Sequence, residues 1–228
     1  MPQVTGRGGR KEKTPAESLP AISSNKVDQL MILDLEVDPG ADLPAGPNEL
    51  SKRDLQDLGR SIIRVASVLR VDISIGHVTL STFEGDEEAI LRELDRVAAE
   101  DKDSVLVTFA GLRHDLPVIA ARSMASLSFG EGLASLFLRP HIDCHLALPG
   151  DASLAGICDL LGLDVVERFL TRSEKCEADV VRTLLILLHW KAFQLGDVDV
   201  LTDGWQVLVN SKDLQSRPHL TPLFAHAS

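Results

Sequence analysis

The chain has 228 residues, of which 44% are hydrophobic and 25% charged, the composition of a soluble globular domain with appendages. A net charge of −11 disfavours a broad basic surface that would hold nucleic acid by phosphate neutralisation, and no apolar run approaches the roughly 18 residues needed to cross a bilayer. Three widely spaced cysteines, Cys144, Cys158 and Cys176, form no CxxC pair. Their odd number argues against a disulfide framework and points to a reduced, cytoplasmic setting. The opening stretch, Met1 to Lys13, lacks the apolar core of a secretory signal.

Charge is unevenly distributed. Residues 1–26 carry five Lys/Arg against two acids, and the remainder carries 18 against 32. This basic, Gly/Pro/Ser-containing tail is expected to be disordered. A first strand is predicted over 29–36, followed by a loop rich in Pro and Gly and a short helical turn within 51–59. Ile62–Val71 and Ile73–Phe83 read as a strand pair, with Gly76-His77 inside the second run rather than at the turn. Asp86–Glu100 has apolar residues at helical spacing (Ile90, Leu91, Leu94, Val97, Ala98) and acids in its first turn, where the helix dipole favours them. Ser104–Phe109 reads as a buried strand, and 117–126 as a helix with Pro117 at a tolerated early position. Phe129–Leu138 fits either type. Ala152–Leu161 reads as a helix stopped near Gly162, and Glu174–Leu195 as the longest helix. A strand is predicted near Trp205–Val209, and Pro218–Ser228 is expected to be mobile. The order of elements implies an α/β domain with a mixed sheet flanked by helices.

Four acids stand where chemistry is possible. Asp34 and Glu36 end the first strand, and the period of two puts them on one face. Adjacent buried carboxylates repel unless a cation lies between them, so the pair reads either as a metal site or as two solvated acids past the strand end. Asp115 follows the strand Ser104–Phe109, where the alternative is a helix cap. Asp179 lies in the first turns of the longest helix, where the alternative is a solvated acid near a helix N-terminus. Acids at the C-terminal ends of neighbouring strands converge on one edge. Such hard oxygen donors suit Mg²⁺ or Mn²⁺, and four of them can hold two ions about 4 Å apart for phosphodiester hydrolysis.

These residues, in this order, resemble the DEDD, or DnaQ-like, 3′–5′ exonucleases of the ribonuclease H-like fold. The likeness is nearest to the predicted bacterial exonucleases related to the proofreading domain of family-B DNA polymerases. Ile32-Leu33-Asp34-Leu35-Glu36 is similar to the first motif. Phe83 to Glu88 resembles the segment before the second. Thr108-Phe109-Ala110-Gly111-Leu112-Arg113-His114-Asp115-Leu116-Pro117 resembles the second motif, T-F-N-G-x-x-F-D-L-P. Arg139 to Cys144 and Ser153 to Leu163 match the stretches that follow. Lys175-Cys176-Glu177-Ala178-Asp179-Val180-Val181-Arg182-Thr183 resembles the third motif, Y-C-x-x-D-V-x-x-T.

The resemblance implies a domain over 27–195, with 1–26 as a tail and 196–228 as an extension packed on the domain. It implies a ribonuclease H-like α/β fold and a metal-dependent 3′–5′ exonuclease that releases nucleoside monophosphates from the 3′ end of single-stranded DNA or RNA. Two Mg²⁺ or Mn²⁺ ions would be held by Asp34, Glu36, Asp115 and Asp179, with substrate contacts at Leu35, Gly111, His114 and Thr183. A membrane is not expected, and a homodimer or protein partner is compatible with the chain. The alternative is an exonuclease fold that binds nucleic acid or a partner without catalysis. Departures from the family pattern favour that alternative: Ala110 replaces an Asn, His114 an aromatic, and Lys175 the tyrosine that orients the attacking water. Lys175 reads either as a point charge that binds phosphate or orients water, or as a solvated surface residue. His141 and His145 flank Asp143 at spacings that suggest zinc, but Asp143 reads better as a structural hydrogen-bonding group. Cys176 is expected to be buried, and Trp190 and Trp205 are expected to pack rather than stack on bases.

Overall fold

A computed structural model describes residues 29–38, 60–148, 152–163 and 170–224. The tail over 1–26 and the turn expected within 51–59 lie outside the described residues. Five strands form one mixed sheet: β1 (Gln29–Asp38), β2 (Ile62–Asp72), β3 (His77–Glu84), β4 (Val105–Thr108) and β5 (His141–Asp143), in the order β3-β2-β1-β4-β5. The first three run as an antiparallel meander, and β4 and β5 add parallel to β1. Helices flank the sheet: α1 (Glu87–Glu100), α2 (Asp115–Ala125), α3 (Glu131–Leu138), α4 (Cys144–Ala147), α5 (Leu154–Leu161), α6 (Arg172–Leu195), α7 (Asp199–Val209), α8 (Lys212–Gln215) and α9 (Thr221–Phe224). The expected α/β architecture is the observed one.

β1 is central because its apolar residues serve both faces. Leu30 and Ile32 join the core under α6, whereas Met31, Leu33 and Leu35 join the core under α1, α2 and α3. Each such side chain, once fully buried, stabilises the fold by about 1.5–3 kcal/mol. Continuing the alternation places Asp34 and Glu36 on the α6 side. The ladder with β2 shifts register between Glu36 and Val37, a bulge at the point where the acids emerge.

Three local expectations need correction, and one open reading resolves. Gly76 closes the β2–β3 turn in a left-handed conformation (φ 64°), so β3 begins one residue later and Asp72 pairs with His77. Phe129–Leu138 resolves as a helix from Glu131. The strand predicted near Trp205–Val209 is helical, with Gly204 set so tightly on α6 that a Cβ there would come within 2.5 Å of Leu188. The expected mobility of the C-terminal segment does not hold for 218–224, where Leu220 and Leu223 are fully buried. Among the described residues, no helix is long and apolar enough to cross a membrane.

α1 and α3 cross without room for a side chain. A Cβ on Gly132 would lie 1.8 Å from the carbonyl oxygen of Asp95. The Asp95 carboxylate accepts a hydrogen bond from the Leu133 amide at 2.9 Å, which ties the two helices together. Gly132→Ala is expected to force the helices apart and cost about 3 kcal/mol, at the upper end of overpacking penalties. Urea denaturation would measure it, and an unchanged midpoint would mean that the crossing is looser than described.

Candidate metal centre

The N-terminus of α6 is set by a reciprocal cap. The Thr171 side chain accepts from the Glu174 amide at 3.2 Å, and the Glu174 carboxylate accepts from the Thr171 amide at 2.8 Å. From Cys176 to Leu188 every residue of α6 is buried, so its charged residues there must find partners inside the protein. Asp179 is one of them, and it meets the acids at the end of β1. One carboxylate oxygen from each of Asp34, Glu36 and Asp179 lies within 4.8 Å of the others. Among the described residues no other group of His, Cys, Asp or Glu side chains offers a metal site.

Two cations stand in this cluster. Lys175 Nζ donates to Glu36 Oε1 and lies 3.6 Å from Asp179 Oδ2. Burial disfavours the lysine's charge, but Glu36, Asp179 and Asp34 outweigh it and push its pKa up. The solvated reading of Lys175 is therefore not what the structure shows. Arg182, only 2% exposed, donates from Nη1 to Asp179 Oδ1 at 2.9 Å. Asp34 differs: its Oδ2 is buried and has no hydrogen-bond partner. Burial, with the charges of Asp115, Asp179 and Glu36, pushes the Asp34 carboxyl well above the usual range. The backbone carbonyl of Asp34, by contrast, accepts from the buried Cys176 thiol at 3.3 Å.

Asp115 lies outside the three-acid group but within its electrostatic reach. It is 3% exposed, at the start of α2, and its carboxylate is 2.9 Å from His114 Nδ1. Burial raises the Asp115 pKa against the opposing effect of His114, and the same hydrogen bond raises that of His114. The loop before them has a built shape. Asp143 accepts from the amides of Ala110 (2.9 Å) and Leu112 (3.0 Å), and also from that of His145 (3.1 Å). Ala110 is left-handed (φ 60°), a conformation that Asn tolerates better than Ala. Gly111 packs so closely on Thr108 that a Cβ would come within 2.4 Å of its hydroxyl.

Asp143 thus holds the loop. His141 Nε2 lies 2.8 Å from the Thr108 hydroxyl, and His145 packs edge-on against Phe109, so neither histidine joins a metal group. Of the four expected substrate contacts, His114 is exposed, and Leu35, Gly111 and Thr183 are buried. Trp190 stacks on Phe193, and Trp205 packs edge-on against Phe224. Two features escaped the sequence reading. Arg182 was signalled by its i+3 spacing from Asp179. The pairing of Glu177 with Arg217 had no local signal, being 40 residues apart.

No protein-family model matches the chain, and no curated protein matches it. Among solved structures, the family B DNA polymerase from the hyperthermophilic archaeon Pyrobaculum calidifontis aligns with a TM-score of 0.53 at 15% identity, over 86% of this chain and 27% of the polymerase. The fold is ribonuclease H-like. E. coli exonuclease I bound to a dT13 oligonucleotide gives a TM-score of 0.44 at 12% identity, over 83% of this chain and 44% of that one. A zinc-bound complex of the same exonuclease with single-stranded DNA gives 0.40 at 13%, over 83% and 45%. The chain spans about a quarter of the polymerase and under half of exonuclease I. Within the ribonuclease H-like fold, the three-acid cluster sits where the central strand ends against α6.

The donor set fits a hard divalent cation. Three carboxylates converge, and the buried Asp34 oxygen lacks a partner that an ion would supply. Zinc is a poorer match, because no His or Cys side chain joins the group.

Proposed function

We propose that this protein is a divalent-metal-dependent nuclease that hydrolyses phosphodiester bonds at the 3′ end of single-stranded nucleic acid. The observation that carries this reading is the convergence of one carboxylate oxygen from each of Asp34, Glu36 and Asp179, on a site where a buried oxygen of Asp34 has no hydrogen-bond partner. The polymerase-like fold and the order of the acids along the chain support it.

In this reading Asp34, Glu36 and Asp179 hold Mg²⁺ or Mn²⁺, which when bound lowers the pKa of a water and stabilises charge on the leaving oxygen. Lys175 stays an ammonium beside its carboxylates and so cannot take a proton from water; it contributes a positive charge for a phosphate oxygen. His114 is half exposed, and Asp115 favours its imidazolium form, which offers a second donor to the substrate backbone. Arg182 holds Asp179 in place from within the core.

The test is purified protein with end-labelled single-stranded DNA and RNA in Mn²⁺. A stepwise ladder that EDTA, Asp34→Ala and Asp179→Ala each abolish is the expected result. A second reading is favoured by Lys175 and Arg182, which already neutralise two of the acids: a fold that binds nucleic acid without cleaving it. Retained binding of both oligonucleotides with no cleavage in Mn²⁺ or Mg²⁺ would select that second reading.

A further inference from the structure

We propose that the site takes one divalent ion, with the Lys175 ammonium standing in place of a second. The inference rests on the reading of the cluster as a divalent-metal site, and it concerns how this chain's own lysine divides that site.

Geometry is the first argument. The converging oxygens come from three acids, Asp34, Glu36 and Asp179, a set suited to a single ion. Lys175 Nζ lies on two of them, bonded to Glu36 Oε1 and 3.6 Å from Asp179 Oδ2. A second ion would have to share those same oxygens. The fourth acid, Asp115, is not part of the converging set and is engaged by His114 at 2.9 Å. Lys175 and Asp179 are one helical turn apart on the N-terminal half of α6, so the ammonium is tethered beside the carboxylates. The unpartnered oxygen belongs to Asp34, the acid that Lys175 does not bond.

Charge is the second argument. The three converging acids carry three negative charges, and Lys175 and Arg182 return two positive ones, while Asp115 is engaged by His114. One divalent ion already outweighs the remainder. Two would leave a net triple positive charge beside the buried Arg182, where like charges repel strongly. Arg182 is 2% exposed and cannot swing out to relieve this. An uncharged side chain at position 175 would remove one of these cations and leave room for a second metal ion.

The experiment is a Mn²⁺ titration of the full chain in the absence of nucleic acid. Free Mn²⁺ is followed by its paramagnetic resonance signal, with wild type, Lys175→Met and Lys175→Arg compared. Lys175→Met keeps the apolar stem and removes the charge; Lys175→Arg keeps the charge. Wild type and Lys175→Arg are expected to bind one Mn²⁺ each. Lys175→Met is expected to bind its first Mn²⁺ about tenfold tighter or more, and to gain a second ion, because a unit positive charge about 4 Å away has been removed. Two ions on wild type, or the same affinity and stoichiometry in Lys175→Met, would overturn the inference while leaving the metal site itself intact. Failure of wild type and Lys175→Met alike to bind Mn²⁺ would overturn the metal-site reading and this inference with it. Circular dichroism of each variant shows whether the fold is kept.

Discussion

Asp34→Asn is expected to make the metal-free protein more stable at neutral pH and, in the same step, to remove its cleavage activity. Asp34 brings a carboxylate oxygen into the protein with no hydrogen-bond partner, facing Glu36, Asp115 and Asp179. Keeping it ionised there costs free energy that an amide does not. The direction with pH follows from its raised pKa. Below the ordinary carboxylate range Asp34 is protonated whether the chain is folded or not, and the penalty is absent. As pH rises from the ordinary carboxylate range to the raised value, the unfolded chain releases this proton while the folded chain keeps it, and wild type loses stability relative to the variant; above the raised value the loss is complete. In EDTA at pH 7 the variant is expected to gain roughly 1–3 kcal/mol, the usual range for an unpaired buried polar group. For a chain of this size, thermal midpoints move by about 2–4 °C per kcal/mol. Saturating Mn²⁺ should reverse the order. An ion present at 100 times its dissociation constant stabilises the wild type by about 2.7 kcal/mol, and the variant much less. Cleavage should fall on the order of a thousandfold, as when a group that stabilises transition-state charge is lost. A variant less stable than wild type in EDTA would mean that Asp34 is not an isolated buried charge.

The trade between stability and activity also shows what could be read in advance. Alternation along β1 was sufficient to put Asp34 and Glu36 on the face opposite Leu33 and Leu35, because successive side chains on a strand point to opposite faces. The helical period of α1 and its acidic first turn were equally direct, and Asp86 caps it as its position suggests. Asp34, Glu36 and Asp179 lie on the first strand and the longest helix, which the fold brings together. What the local pattern did not contain was who pairs with whom across the fold. Lys175 is one turn from Asp179, a relation legible on the helix, but its bond to Glu36 joins residues 139 apart. Without that bond a lysine at a helix N-terminus reads as solvated.

The C-terminal region failed for a different reason. Trp205, Val207 and Val209 favour a strand by propensity, and Gly204 reads as a helix breaker. The spacing of Leu201, Trp205 and Leu208 was nonetheless helical. Gly204 is where α7 meets Leu188 of α6 too closely for any side chain. Tertiary contact set the residue type at Gly204, and the strand-favouring residues beside it masked a helical spacing.

Arg217→Met is expected to be among the most destabilising single changes, about 3 kcal/mol, because it strands a buried carboxylate two residues from Asp179. Glu177 lies on α6 with its side chain 6% exposed. The Arg217 guanidinium donates to its Oε1, and Thr82 donates to the same oxygen at 2.7 Å. His219 Nε2 lies 2.9 Å from Oε2 without the alignment of a hydrogen bond. Removing one partner of a buried pair leaves an uncompensated charge, which costs about 3–5 kcal/mol; the partial exposure of Arg217 places the expectation at the lower end. Arg217 has a second task. Its Nη2 donates to the Leu80 carbonyl at 3.0 Å, and Asp213 accepts from the Leu80 amide at 2.6 Å. β3 is an edge strand, and these side chains satisfy backbone groups that would otherwise be open to another strand. Urea denaturation of Arg217→Met, Glu177→Gln and the double variant separates the two tasks. If the stranded charge dominates, Glu177→Gln should restore most of the stability lost in Arg217→Met. If the double variant is as unstable as Arg217→Met, the edge contact to Leu80 is what matters. If Arg217→Met matches wild type, the pair contributes nothing.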